Sequence, residues 1–507
     1  MSDILQSGSE GSDTATTGLA RNALNLPELV FTAMAALAPL TLVVAVMPLH
    51  FFVGGPAVPG GYLVAAAVMG LFAVGLTTIM RYIRNTGAFY AIIVRGLGKV
   101  PGSASALLAI VAYNALQVST YGALGLYAAD VVEQVFGIDA PWWLYGAVAL
   151  VLVALLGYRG ITASAKVLTV VLTLEMVALA ALAVAILADG GTGPLSLTPF
   201  SPSTVLDPSN GPMYGLIFGA FMGFESTVIY SEETAGGART MRRATYAVVA
   251  VIGVFYAAIA YVIVSAYGVG DIATAASEDP AGLVVVLFDR YTSAWVGELV
   301  SVLLLLSAFA ALLALHNASN RYAFALGRER LIPSAFARTH PTTRSPWVAG
   351  LTQSAVAAVV LVACVALDVD PYLGLLLWGS ALGFLGIIAL WALCALAAVV
   401  YMRRHHPEVG LWRSAVAPLL AAVALAVVFV LVIANFDLFS GGTPAVNATL
   451  FTIAALAVVG GVGRALYLRA RVPEVYARLG TTDAGADPAD EPADEPVAEP
   501  TDEPRTW

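Results

Sequence analysis

Twelve predominantly apolar segments run along the chain, near residues 30–51, 61–81, 101–132, 143–157, 163–188, 212–230, 244–270, 295–326, 347–367, 371–400, 415–436 and 446–468. Most are continuously apolar over about 20 residues, the length needed to cross a hydrocarbon core as a helix. β-barrel strands would instead alternate apolar and polar positions over about ten residues. The pattern therefore predicts an all-α polytopic membrane protein with twelve transmembrane helices.

Composition agrees: 59 % of residues are hydrophobic and 11 % charged, with a mean hydropathy of +0.85. A water-soluble enzyme does not look like this. Charge placement sets the orientation. With the N-terminus in the cytoplasm, 23 of the 24 Lys and Arg residues fall on the cytoplasmic side and only Arg290 lies outside. By the positive-inside rule both termini are cytoplasmic, in a multi-pass protein of the cell (plasma or inner) membrane. The net charge of −9 comes largely from the tail, where Asp483 to Glu503 carries nine acidic residues and no basic one. Residues 473–507 read as a disordered, acidic, Pro-rich cytoplasmic tail. Residues 1–26 read as a polar, disordered cytoplasmic segment with no cleavable signal peptide.

Cys364 and Cys394 both sit inside apolar segments, which gives neither a disulfide framework nor metal-ligand spacing. No phosphate-binding loop, nucleophile elbow or zinc motif occurs, so neither an enzyme, a metal, a cofactor nor nucleic acid is expected. The chemistry must lie in ionisable or helix-breaking residues at membrane depth, where a charge costs at least ~2.5–3.5 kcal/mol. Glu225 lies about 20 Å into segment 6 at ~1.5 Å per residue, near the midplane. It closes the run Phe218-Gly-Ala-Phe-Met-Gly-Phe-Glu225, in which two glycines weaken the helix. Segment 1 has a matching break at Ala35-Ala-Leu-Ala-Pro39-Leu-Thr41, where Pro39 has no amide proton.

Segments 1 and 6 are five apart, and an odd offset reverses orientation, so matching breaks suggest two inverted five-helix repeats, residues 27–200 and 201–405, with substrate between them. Half-helix N-termini would meet an anionic group and freed carbonyls an ammonium or cation, which suits a small zwitterion or amine. Candidate substrate-binding residues are Ala36, Ala38, Pro39, Thr41, Phe221, Gly223, Phe224 and Glu225, with Asn114 and Gln117 from a polar stripe that also includes Tyr121, and Trp378 from segment 10. Ion-coupling candidates are Glu225, Glu175 in segment 5, and Lys166, which lies nearer the cytoplasmic end. His316, Asn317 and Asn320 read as a structural polar group in segment 8. The sequon Asn447-Ala-Thr449 carries little weight, since such triplets arise by chance.

Three stretches resemble the amino acid–polyamine–organocation (APC) transporters. Gly223-Phe-Glu-Ser226, Ser231-Glu-Glu-Thr234 and the basic run Arg239 to Arg243 resemble that family's span 6 and its cytoplasmic exit. Arg81 to Ala91, with Arg95-Gly-Leu-Gly98, is similar to the loop after span 2, and Asn320 to Pro333 is similar to the segment leaving span 8. The resemblance covers roughly residues 27–470. It implies a LeuT-like five-plus-five fold with spans 11 and 12 (residues 406–472) peripheral. It also implies secondary active transport of amino acids or related amines, driven by a proton or sodium gradient or by exchange. A polyamine or other organic amine carrier, and a non-transporting amino acid sensor of this fold, are the alternatives. Two departures stand out. Ala35-Ala-Leu-Ala-Pro39 replaces the Gly-Ser-Gly-like break of carboxylate-gripping members, and Glu175 stands about where some proton-coupled relatives carry a lysine.

Overall fold

The computed structural model describes residues 19–481 except 21, 84–86, 160, 192–194 and 281. The expected polar stretch before residue 19 and the acidic tail from residue 482 lie outside the described residues. Among those described the only β pairing is one isolated bridge, Leu24 to Thr234; the rest of the regular structure is helical.

Ten helical runs are long and apolar enough to cross a membrane. The count differs from twelve segments for two physical reasons. Segments 1 and 2 form one run, Leu26–Ile79, reversed at Gly55, whose φ of 48° favours glycine. Segment 6 splits into Gly211–Gly219 and Ser226–Ile229, neither long enough alone.

The start of segment 1 is fixed locally. Asn25 accepts a hydrogen bond from the Glu28 amide (3.0 Å) and Glu28 returns one from the Asn25 amide (2.9 Å), a reciprocal cap on the helix Leu26–Ala35. Segment 2 (Val58–Ile79) packs on segment 7 (Gly237–Tyr267), and segment 3 (Lys99–Phe136) on segment 8 (Ala294–Arg328). Segment 4 (Trp142–Arg159) touches segments 3 and 8, as does segment 9 (Trp347–Ala366). Small residues permit the closest approaches, as expected where lipid gives helices no hydrophobic reason to associate. Gly379, Gly383 and Gly386 follow one face of the helix Trp378–His405 and meet Ala115, Leu116 and Ala112 of segment 3. A Cβ on Gly379 would lie 2.8 Å from the Ala115 carbonyl oxygen.

The outer helices carry apolar rows that face no protein, for example Val170, Leu174, Val177 and Val184 on Ile161–Asp189, and Leu456, Val459 and Leu466 on Pro444–Arg471. Such rows suit lipid. The sequon residue Asn447 is buried and bonds Ser440 and Asp437, which leaves its amide no room for a glycan.

Candidate substrate and ion site

In segment 1 the helix ends at Ala35, the chain turns through Ala36 to Ala38, and helix resumes at Pro39. Ala38 adopts φ 42°, ψ 70°, a left-handed conformation that costs a non-glycine residue roughly 1–2 kcal/mol. In segment 6 the residues between the two helical pieces are held by i→i+3 bonds: Ala220 to Ile217 (3.0 Å), Phe221 to Phe218 (3.1 Å), Phe224 to Phe221 (3.2 Å) and Ser226 to Gly223 (2.9 Å). Gly223 has φ 108°, and a Cβ built there would lie 2.8 Å from the Ala36 Cβ. The two breaks therefore abut, and glycine is needed at Gly223 for both conformation and space.

Each break holds a buried carboxyl group. Glu225, 1 % exposed, accepts from the Gly223 amide (2.9 Å) and from the Tyr113 hydroxyl (3.0 Å). Glu175, also 1 % exposed, reaches across from segment 5 and accepts from the Leu40 amide (3.1 Å). The next amide, Thr41, donates to the Ser307 hydroxyl (3.3 Å). The first-turn amides of the resumed helix, expected to be open to an anion, are thus occupied by the protein's own oxygens. Among the described residues no Lys, Arg or His pairs with Glu175 or Glu225. Both carboxyls are satisfied by neutral donors alone. Phe224 seals the far side of the segment 6 break, edge-on to Phe72 (5.7 Å) and to Trp391 (5.6 Å), and Phe221 is fully buried.

Other candidates fall elsewhere. Gln117 bonds His316 (3.1 Å) and receives a bond from Gln353, so it belongs to a buried polar knot between segments 3, 8 and 9. Asn114 donates to the Ile110 carbonyl of its own helix (2.8 Å). Trp378 is half-buried, with an indole N–H that finds no partner among the described residues. Lys166 is exposed, as snorkelling to an interface requires. Sequence reasoning passed over Tyr113 and Ser307. Tyr113 adjoins the noted polar stripe at Asn114, and Ser307 is a lone hydroxyl following Leu303 to Leu306, a visible though weak signal.

At the end of the bundle that carries most of the basic residues the arrangement changes. Glu233 is bound by Arg321 through two guanidinium nitrogens, one at 2.9 Å, and both residues are buried. Arg321 also donates to the Asn317 carbonyl (3.0 Å) and lies over the Tyr230 ring at 4.8 Å. Glu232 takes a fork from Arg328 (3.0 and 2.7 Å). Arg321 and Arg328 are seven residues apart on one helix, hence on one face, and this explains the paired acids of Ser231-Glu-Glu-Thr234. The Glu233 carbonyl accepts from the amides of Ala23 (2.8 Å) and Leu24 (3.1 Å), tying the approach to segment 1 to the exit of segment 6.

Apolar helical runs packed around two abutting breaks with buried acids define a multi-pass membrane protein. The sequence model of the family described as amino acid permease matches residues 26–462, and the chain belongs to that family, within the APC superfamily. Among curated relatives, the chain is 24 % identical to a methylthioribose transporter of Bacillus subtilis (strain 168) over 274 residues, 52 % of this chain and 53 % of that protein. It is also 24 % identical to the branched-chain amino acid permease BcaP of Lactococcus lactis subsp. cremoris (strain MG1363) over 324 residues, 61 % of this chain and 68 % of the relative. An uncharacterised transporter of Mycobacterium tuberculosis (strain ATCC 25618 / H37Rv) is 28 % identical over 220 residues, 43 % of this chain and 48 % of its own length. The matches thus span about half to two thirds of the relatives' lengths.

Proposed function

We propose that the chain is a secondary active transporter that carries an amino acid or related amine by alternating access. Its substrate would lie at the junction of the two breaks, with Glu225 as the group that holds either the substrate ammonium or the coupling proton. The observation that carries this reading is the close approach of Gly223 to Ala36, flanked by two buried carboxyls that no cation among the described residues neutralises. A carboxylate at membrane depth is costly without a positive partner, so such a group binds a proton or a cation when it is not otherwise paired.

The twelve-span, five-plus-five arrangement belongs to the same proposal, with residues 27–200 and 201–405 as inverted repeats and both termini cytoplasmic. Helix pairing supports it. Segments 2 and 7, and 3 and 8, pack on one another, each against the segment five further on. Segment 4 relates to segments 3 and 8 as segment 9 does to segments 8 and 3. A two-fold axis in the membrane plane relates elements in this way.

One observation favours the amine side of the substrate range. The Leu40 and Thr41 amides, which a substrate carboxylate would otherwise use, are taken by Glu175 and Ser307. Recognition then falls on Glu225, an acceptor that suits an ammonium. Thermal shift with a panel of branched-chain amino acids, polyamines and methylthioribose identifies a ligand, because binding to the folded state alone raises apparent stability. Purified protein in liposomes then separates the readings: a transporter accumulates the labelled ligand against an imposed proton or sodium gradient, and a sensor binds it without accumulation.

A further inference from the structure

A cavity of about 230 Å³ lies between segments 3, 8 and 9, outside the junction of the breaks. Its exposed lining residues are Pro333, in the stretch between Arg330 and Arg338 that follows segment 8, and Thr352 and Val356 of segment 9. Pro333 forms its mouth toward these basic residues. Its inner end is lined by Tyr113, Ser319 and Tyr322. The Tyr113 ring lies 5.8 Å from the Tyr322 ring, and the Tyr113 hydroxyl donates to Glu225 at 3.0 Å. Ser319 and Tyr322 are 5 % and 1 % exposed, yet neither hydroxyl has a hydrogen-bond partner among the described residues.

Buried hydroxyls without partners are uncommon, and a roomy cavity lined by two of them, with the polar side chains of Asn114, Thr352 and Gln353 beside them, is where water is held. We propose that this cavity is a hydrated proton route from the basic end of the bundle to Glu225, with Tyr113 as the transferring group, separate from the path the substrate takes. The proposal rests on Glu225 being the proton-carrying acid. With Glu225 ionised, Tyr113 gives its hydroxyl proton to the carboxylate while a cavity water gives one to the Tyr113 oxygen. One proton moves inward, the water's replacement proton comes from the mouth, and the tyrosine is restored. The titratable side chains facing this step are Tyr113 from segment 3, Tyr322 from segment 8 and, beyond Tyr322, Cys394 from segment 10, Glu329 at the end of segment 8 and Tyr90 from the helix Phe89–Leu97. Two routes of this kind would let the acid load its proton at one end while the substrate site stays closed there.

The test needs no substrate. Infrared difference spectroscopy on the purified full chain follows the carboxyl band after a pH jump, and the band missing from Glu225→Gln assigns Glu225. Tyr113→Phe should slow protonation of that band on the order of a hundredfold, the lower end of what a positioned proton donor contributes. Tyr322→Phe removes a hydroxyl that bonds no atom of the described residues, so the variant should fold normally and also protonate more slowly. Wild-type rates in both variants overturn the route. Slowing in Tyr113→Phe alone overturns passage through the cavity. If no Glu225 band titrates in the wild type, the proton-carrying reading of Glu225 falls first and the route with it.

Discussion

The break in segment 6 and the exit beyond it handle buried charge in opposite ways. Beyond its second helical piece, Glu232 and Glu233 are each met by an arginine fork, and Arg321 is further held by a carbonyl and an aromatic face. At its break, Glu225 is met only by an amide and a phenol. Paired charges fix a structure, because removing either partner strands the other in a low-dielectric interior. A carboxyl held by neutral donors can instead exchange a proton or a cation without losing its place. The contrast separates a latch from a working site within ten residues of sequence.

The latch offers the largest expected effect. Arg321→Met leaves Glu233 buried and unpaired, and about 3–5 kcal/mol of stability should be lost. Thermal unfolding in detergent measures this, and a melting temperature unchanged from wild type would erase the distinction between the exit and the break. Gly223→Ala comes next. It places a methyl group 2.8 Å from the Ala36 Cβ at φ 108°, so a backbone penalty of roughly 1–3 kcal/mol should accompany loss of uptake. Normal transport by this variant would mean that the breaks need not touch. Ser307→Ala strands the half-buried Thr41 amide and should cost about 1–3 kcal/mol, measured as a lower melting temperature. Lys166→Gln sharpens the comparison from the other side. Its side chain is exposed, so stability should change by less than about 0.5 kcal/mol and uptake should be retained.

Much of the fold was legible because lipid imposes a simple pattern: long apolar segments, basic residues gathered on one set of loops, and breaks where Pro39 and the Gly219/Gly223 pair interrupt helix. Glu225 and Glu175 stood out as acids inside apolar segments, and the structure buries both beside the breaks; the need for glycine at Gly223 appears only in the structure. The partners were not legible. Nothing in the spacing says that Glu175 lies 135 residues from the amide it caps, or that Tyr113 rather than Asn114 or Gln117 turns toward Glu225. Those depend on how a long helix is rotated against its neighbours. Gln117 is three residues from Asn114 on the same helix, yet its side chain joins His316 and Gln353 while that of Asn114 turns back to the Ile110 carbonyl. The closed state of the segment 1 amides was likewise hidden, since it depends on side chains arriving from segments 5 and 8.

The most direct test of the account is Glu225→Gln in proteoliposomes, using the ligand found by thermal shift and scored per folded molecule. The amide keeps the shape of the side chain but holds neither a proton nor a strong charge-assisted bond, worth on the order of 1.5–3 kcal/mol. The account predicts that the variant melts near the wild-type temperature and no longer accumulates the ligand against an imposed gradient. Loss of gradient-driven uptake with exchange retained would assign Glu225 to the coupling proton, and loss of both would assign it to the substrate amine. Gradient-driven accumulation at the wild-type rate would contradict the account.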